Sequence, residues 1–89
     1  MKFLKTNFKD LYIIEPELHF DKRGFFKELF REDIFFKNTG IKINFCQDNC
    51  VFSKQMVLRG LHYQNKPFSQ SKLISVNSGE IMDVVVDLR

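Results

Sequence analysis

Five side chains in this sequence have the chemistry of a site that handles an acidic carbon: His62, Lys72, Asp83, Arg59 and Arg23. An imidazole, whose ordinary pKa is about 6.5, changes charge close to neutrality and suits a general base. An ammonium such as that of Lys72 stabilises an oxygen that gains negative charge, for example in an enolate. Guanidinium groups such as those of Arg59 and Arg23 grip phosphate through paired N–H donors. Asp83 would orient the histidine or pair with Lys72, and the sequence leaves both roles open. Spacing alone does not join these residues into a site, because a single histidine in a strand is more often structural or simply exposed.

A metal centre is a poorer reading. His19 and His62 are the two histidines, in dissimilar contexts, and no closely spaced pair exists. An Fe, Mn or Zn site in a β-barrel takes two or three histidines with a carboxylate. Cys46 and Cys50 are four apart. In a strand they would lie about 13 Å apart at ~3.3 Å per residue, whereas a disulfide needs Cα atoms within roughly 7 Å. Two free thiols, a reducing, cytoplasmic setting and a metal-free site are expected.

The elements that must position these residues are mostly strands. Leu11–Ile14 is apolar until Pro16 interrupts. Leu18-His19-Phe20 follows, then Asp21-Lys22-Arg23-Gly24, a polar turn closed by glycine, and a strand-like Phe25–Phe30. Glu32–Asn38 reads as a short helix, with acids in its first turn and Asn38 or Gly40 near its end. From Ile41 the pattern alternates with period two. It carries Gln47 and Asn49 onto the face where core residues belong, and broken local rules often mark functional positions.

Val57–Gln64 is a further strand with Gly60 inside it, a signal for a bulge or a close backbone approach. Such a bulge would bring Arg59 and His62 to one side. Asn65–Phe68 is a loop, Ser71–Val76 a strand, and Asn77–Glu80 a turn with Gly79 able to take positive φ. Ile81–Leu88 alternates an apolar face of Met82, Val84, Val86 and Leu88 with a face carrying Asp83 and Asp87. Short strands recurring with turn signals predict an all-β sandwich or barrel.

Composition bounds the rest. A chain of 89 residues makes one small domain and buries only roughly 60–65% of its unfolded surface. Eleven Phe and two Tyr, with no Trp, favour a packed β core or an interface. The +3 net charge is spread along the chain, which suits an anionic small ligand and not a nucleic-acid surface. Met1–Lys5 has charge without an apolar stretch behind it, so no signal peptide is expected, and no run reaches the roughly 18 apolar residues of a membrane helix.

Several segments together resemble the dTDP-4-dehydrorhamnose 3,5-epimerase family of rhamnose biosynthesis. They are Asp21-Lys22-Arg23-Gly24-Phe25-Phe26-Lys27-Glu28, Phe45-Cys46-Gln47-Asp48-Asn49, Leu58-Arg59-Gly60-Leu61-His62-Tyr63-Gln64, Gln70-Ser71-Lys72-Leu73 and Gly79–Arg89, in the family's order and near its spacing. The resemblance implies a cupin-type jelly roll of which residues 1–89 are the N-terminal portion, free of metal and cofactor. It also implies a homodimer that exchanges N-terminal strands, and a dTDP-linked 4-keto-6-deoxy sugar as substrate, with no nucleic acid or membrane partner.

By the same resemblance His62 is the base, Lys72 the enolate stabiliser and Asp83 a site carboxylate. Arg59 and, from a partner subunit, Arg23 hold the diphosphate, while Phe26, Glu28, Gln47 and Asn49 line the nucleotide part of the cleft. The family's tyrosine acid, on the opposite sugar face, is implied to lie beyond these residues; Tyr63 is no substitute, being adjacent to His62. The competing reading is a non-catalytic sugar-nucleotide binder, or a fragment that completes its barrel with another chain.

Overall fold

The computed structural model describes every residue, Met1–Arg89. The chain divides into two units, one of residues 1–44 with 87–89, the other of residues 45–86.

All regular structure lies in the first unit. Strand β1 (Lys2–Lys5) pairs antiparallel with β2 (Tyr12–Glu15), in a register that sets Lys2 opposite Glu15 and Phe3 opposite Ile14. Thr6 closes the connection. Its N–H donates to the Leu11 carbonyl at 3.3 Å, its hydroxyl donates to the same carbonyl at 3.0 Å, and its Oγ1 accepts the Phe8 N–H at 3.1 Å. A threonine side chain here replaces ladder partners that the loop cannot supply. The β1 strand gives no clear period in the sequence, because only four residues alternate and two of them are lysines.

Strand β3 (Leu18–Asp21) pairs with β4 (Gly24–Lys27) across a two-residue turn, Lys22-Arg23. Gly24 takes φ 132°, a region a β-carbon disfavours. Pro16 separates the two hairpins, and the turn falls on the Asp–Gly cluster expected of it.

Helix α1 (Glu32–Thr39) matches the expected short helix. Glu32 and Asp33 sit in its first turn and Lys37 in its last, each complementary to the helix dipole. Gly40 adopts the left-handed conformation (φ 72°) and its N–H donates to the Phe36 carbonyl at 2.8 Å, which ends the helix. Phe35 is the buried side chain of the protein. It meets Phe3 edge-on at 6.1 Å and Phe30 at 5.8 Å, so β1 and α1 share one small aromatic cluster.

The strands expected from Ile41 onward do not form. Residues 41–89 contain no strand, and residues 46–89 are exposed throughout. The alternation itself persists as far as Phe45: Ile41, Ile43 and Phe45 are half-buried while Lys42 and Asn44 are exposed. A strand exists only when its N–H and C=O groups find a neighbouring strand, and these segments have none within the chain. With no ladder, the bulge expected at Gly60 has nothing to interrupt, although Gly60 does take φ 116°. The turns between those segments do form. Phe68 N–H donates to the Asn65 carbonyl at 2.8 Å, and Gly79 takes φ 83°.

The Arg89 guanidinium folds onto the β1–β2 loop, with Nη2 donating to the Lys9 carbonyl and Nη1 lying 3.4 Å from Asp10. No helix is long and apolar enough to cross a membrane.

Candidate functional site

In the first unit, three of the expected ligand contacts lie close together in sequence: Arg23 in the β3–β4 turn, Phe26 in β4 and Glu28 just after it. Asp21 Oδ1 accepts the Arg23 backbone N–H at 2.8 Å, an Asx-turn that fixes the two-residue connection. Arg23 then folds back on the same carboxylate: Nε donates to Oδ2 at 3.2 Å and Nη2 to Oδ2 at 2.6 Å. The Arg23 side-chain hydrogen bonds, then its backbone N–H, hold the Asp21 carboxyl below its ordinary value, and Asp21 raises the Arg23 guanidinium in return. Arg23 remains 90% exposed, so an anion can approach its free Nη1 edge.

Phe26 stands opposite His19 in the ladder, their rings 6.4 Å apart and tilted by 33°. Phe25, Phe26, Arg23, Gly24 and Asp21 border one open depression. Glu28, half-buried just past β4, lies 4.0 Å from the Arg31 guanidinium. A cation clamped at a hairpin tip beside an exposed aromatic face is a fitting surface for a phosphate with an attached base or sugar.

In the second unit, Gln47 Nε2 donates to Asn49 Oδ1 at 3.3 Å. Their amides are exposed and free to exchange this bond for one to a ligand. The Arg59 Nε donates to Ser53 Oγ at 3.0 Å. Gly60, between Arg59 and His62, adopts its positive φ with the His62 backbone nitrogen 3.8 Å from where a β-carbon would lie. The His62, Lys72 and Asp83 side chains are exposed, and no hydrogen bond or ion pair joins any of the three to another residue. The structure thus brings together Gln47 with Asn49, and leaves His62, Lys72 and Asp83 each in solvent.

Sequence reasoning missed the partners of both arginines. Asp21 had a readable signal, an aspartate opening a two-residue turn closed by glycine. Ser53 had none, being six residues from Arg59 with no regular element between them. Cys46 and Cys50 are free and exposed, and no group of three or more His, Cys, Asp or Glu residues gathers in a form that holds a metal ion.

Comparison with known proteins agrees with the motifs. The family described as dTDP-4-dehydrorhamnose 3,5-epimerase matches residues 5–89. The chain is 52% identical over 89 residues to a protein of that name from Methanothermobacter thermautotrophicus, covering 99% of this chain and 46% of the relative. It is 46% identical over 89 residues to the protein of that name from Shigella flexneri, covering 100% of this chain and 49% of the relative. For the protein of that name from Escherichia coli K12 the identity is 40% over 89 residues, covering 100% and 48%. The chain therefore spans about half the length of the curated relatives it matches. No solved structure gives a significant match. A match over residues 5–89 that contains every motif named above leaves one conclusion: the chain belongs to the dTDP-4-dehydrorhamnose 3,5-epimerase family.

Proposed function

We propose that this chain serves the epimerisation at C3 and C5 of dTDP-4-dehydro-6-deoxy-D-glucose, giving dTDP-4-dehydro-L-rhamnose, an isomerase step of dTDP-rhamnose biosynthesis. The observation that carries this reading is the family match across residues 5–89, within which lie a histidine, a lysine and two arginines of the right chemistry.

The mechanism follows from the ketone. Carbons C3 and C5 both flank the C4 carbonyl, which acidifies their hydrogens. The neutral His62 imidazole takes one such proton; the C–H electron pair becomes a new C=C bond as the carbonyl pair moves onto oxygen. The Lys72 ammonium stabilises that enolate oxygen, where charge grows as the transition state is reached. The opposite-face acid that the family resemblance implies, which is none of the residues named here, then delivers a proton. That step completes inversion and restores the ketone, while His62 gives its proton to solvent. Arg59 and, contributed by a partner subunit, Arg23 hold the diphosphate, Phe26, Glu28, Gln47 and Asn49 resemble positions that line the nucleotide part of the cleft, and Asp83 is a site carboxylate. The cycle is balanced in protons and needs neither metal nor organic cofactor.

The assembly in this reading is a cytoplasmic homodimer of cupin-type jelly rolls that exchange N-terminal strands. Exposed apolar side chains such as Phe52, Leu58, Met82 and Leu88 offer area that such an association would bury. The solvent-exposed, unpartnered side chains of His62, Lys72 and Asp83 favour a second reading, a sugar-nucleotide binder or one part of a split barrel.

Deuterium uptake separates the two. The purified chain is incubated with the keto-sugar nucleotide in D2O, alone and with a separately made polypeptide matching the rest of a full-length relative. Deuterium at C3 and C5 with inversion in the mixture supports the epimerase. Binding of dTDP with no deuterium uptake in either sample supports the binder.

A further inference from the structure

Arg23 and Arg59 have the same side chain and opposite arrangements. Asp21, a carboxylate, occupies the Nε and Nη2 donors of Arg23 and sets a negative charge beside its positive one. Ser53, a neutral hydroxyl, occupies only the Nε of Arg59, at 3.0 Å. The Arg59 Nη1 and Nη2 groups hold no hydrogen bond or ion pair. A guanidinium carries five N–H donors in a rigid fork, and the Nη1/Nη2 edge is one of the two edges that grip a phosphate in a bidentate manner. A hydroxyl on Nε therefore turns that edge outward with the full positive charge intact.

The chain is bent to make this contact. Between Ser53 and Arg59 it reverses: Val57 N–H donates to the Lys54 carbonyl at 3.4 Å, and Met56 takes φ 66°. Side chains with a β-carbon adopt this region only at a steric cost. The reversal carries Ser53 back against Arg59 across six residues.

We propose that Ser53 is a positioning residue that presents the Nη1/Nη2 edge of Arg59 to the diphosphate of the nucleotide. The inference rests on the reading of Arg59 as a diphosphate ligand. Ser53 does not touch the ligand in this role; it acts through Arg59 alone.

Calorimetric titration of the full chain with dTDP and with thymidine tests it, because thymidine lacks the phosphates. Ser53→Ala is expected to weaken dTDP about five-fold, the scale of one neutral hydrogen bond, and to leave thymidine unchanged. Ser53→Thr keeps the hydroxyl and restores dTDP affinity. In the Arg59→Ala background, Ser53→Ala is expected to have no further effect. Unchanged dTDP affinity in Ser53→Ala, with Arg59→Ala clearly weakened, overturns the role of Ser53 and leaves Arg59 as a ligand. Equal loss for dTDP and thymidine marks a structural effect and also overturns it. Wild-type dTDP affinity in Arg59→Ala, or no dTDP binding by the unaltered chain, removes the Arg59 reading and the role of Ser53 with it.

Discussion

At the scale of single residues, the proposed chemistry divides between groups that hold the ligand and groups that move charge. His62→Asn keeps a polar side chain of similar size and removes the base. In an assembly with epimerase turnover it is expected to lower solvent deuterium exchange at C3 and C5 by about 100-fold or more. Exchange at the unaltered rate would take His62 out of the role of base. Lys72→Ala, measured in the same assembly, is expected to reduce kcat far more than it raises KM, because the ammonium matters most when the enolate forms. A change confined to KM would make Lys72 a contact to bound substrate. The structure leaves His62 and Lys72 in solvent, and both were legible in the sequence as candidates because each lies in a motif that resembles the family, Leu58–Gln64 and Gln70–Leu73. Ser53 was not, since serine is common and its contact depends on a positive φ at Met56, a residue that no propensity assigns to that region.

Among the elements, α1 offers the sharpest pH signature. Arg31, the residue just before the helix, donates Nε and Nη2 to the two oxygens of Asp33 at 2.7 and 2.6 Å. Those hydrogen bonds, first among the causes, lower the Asp33 carboxyl from 3.8 to about 2. A carboxyl depressed on folding stabilises the fold above its unfolded value and ceases to do so as pH falls through its folded value. Helix α1 is thus expected to lose stability between pH 3.8 and about 2, which backbone amide exchange at Phe36 and Lys37 would report. Asp21 and Asp87 are depressed as well, so Asp33→Asn is the control. It should remove the helix-specific part of the pH dependence, and an unchanged profile would contradict the account. Local chemistry also explains which elements could be read from sequence. The β3–β4 turn and α1 are written within a few residues, as Asp21-Lys22-Arg23-Gly24 and as Glu32–Gly40. The strands expected after Ile41 depend on distant pairing that no local pattern supplies, and there the expectation failed.

For the molecule as a whole, the balance between apolar content and burial governs behaviour. Hydrophobic residues make up 44% of the chain, yet Phe35 is its buried side chain. The chain is expected to bind the dye ANS strongly and to sediment as a species heavier than 10.6 kDa. A non-fluorescent monomer would contradict that expectation. The antiparallel hairpins have a further consequence, which lies in time. Each joins strands separated by a short loop, all between Lys2 and Lys27. Hairpins close in about 1–10 μs, while ribosomes add roughly 5–20 residues per second. Each hairpin is therefore free to close as soon as its second strand is available, without waiting for the segment that bears His62 and Lys72.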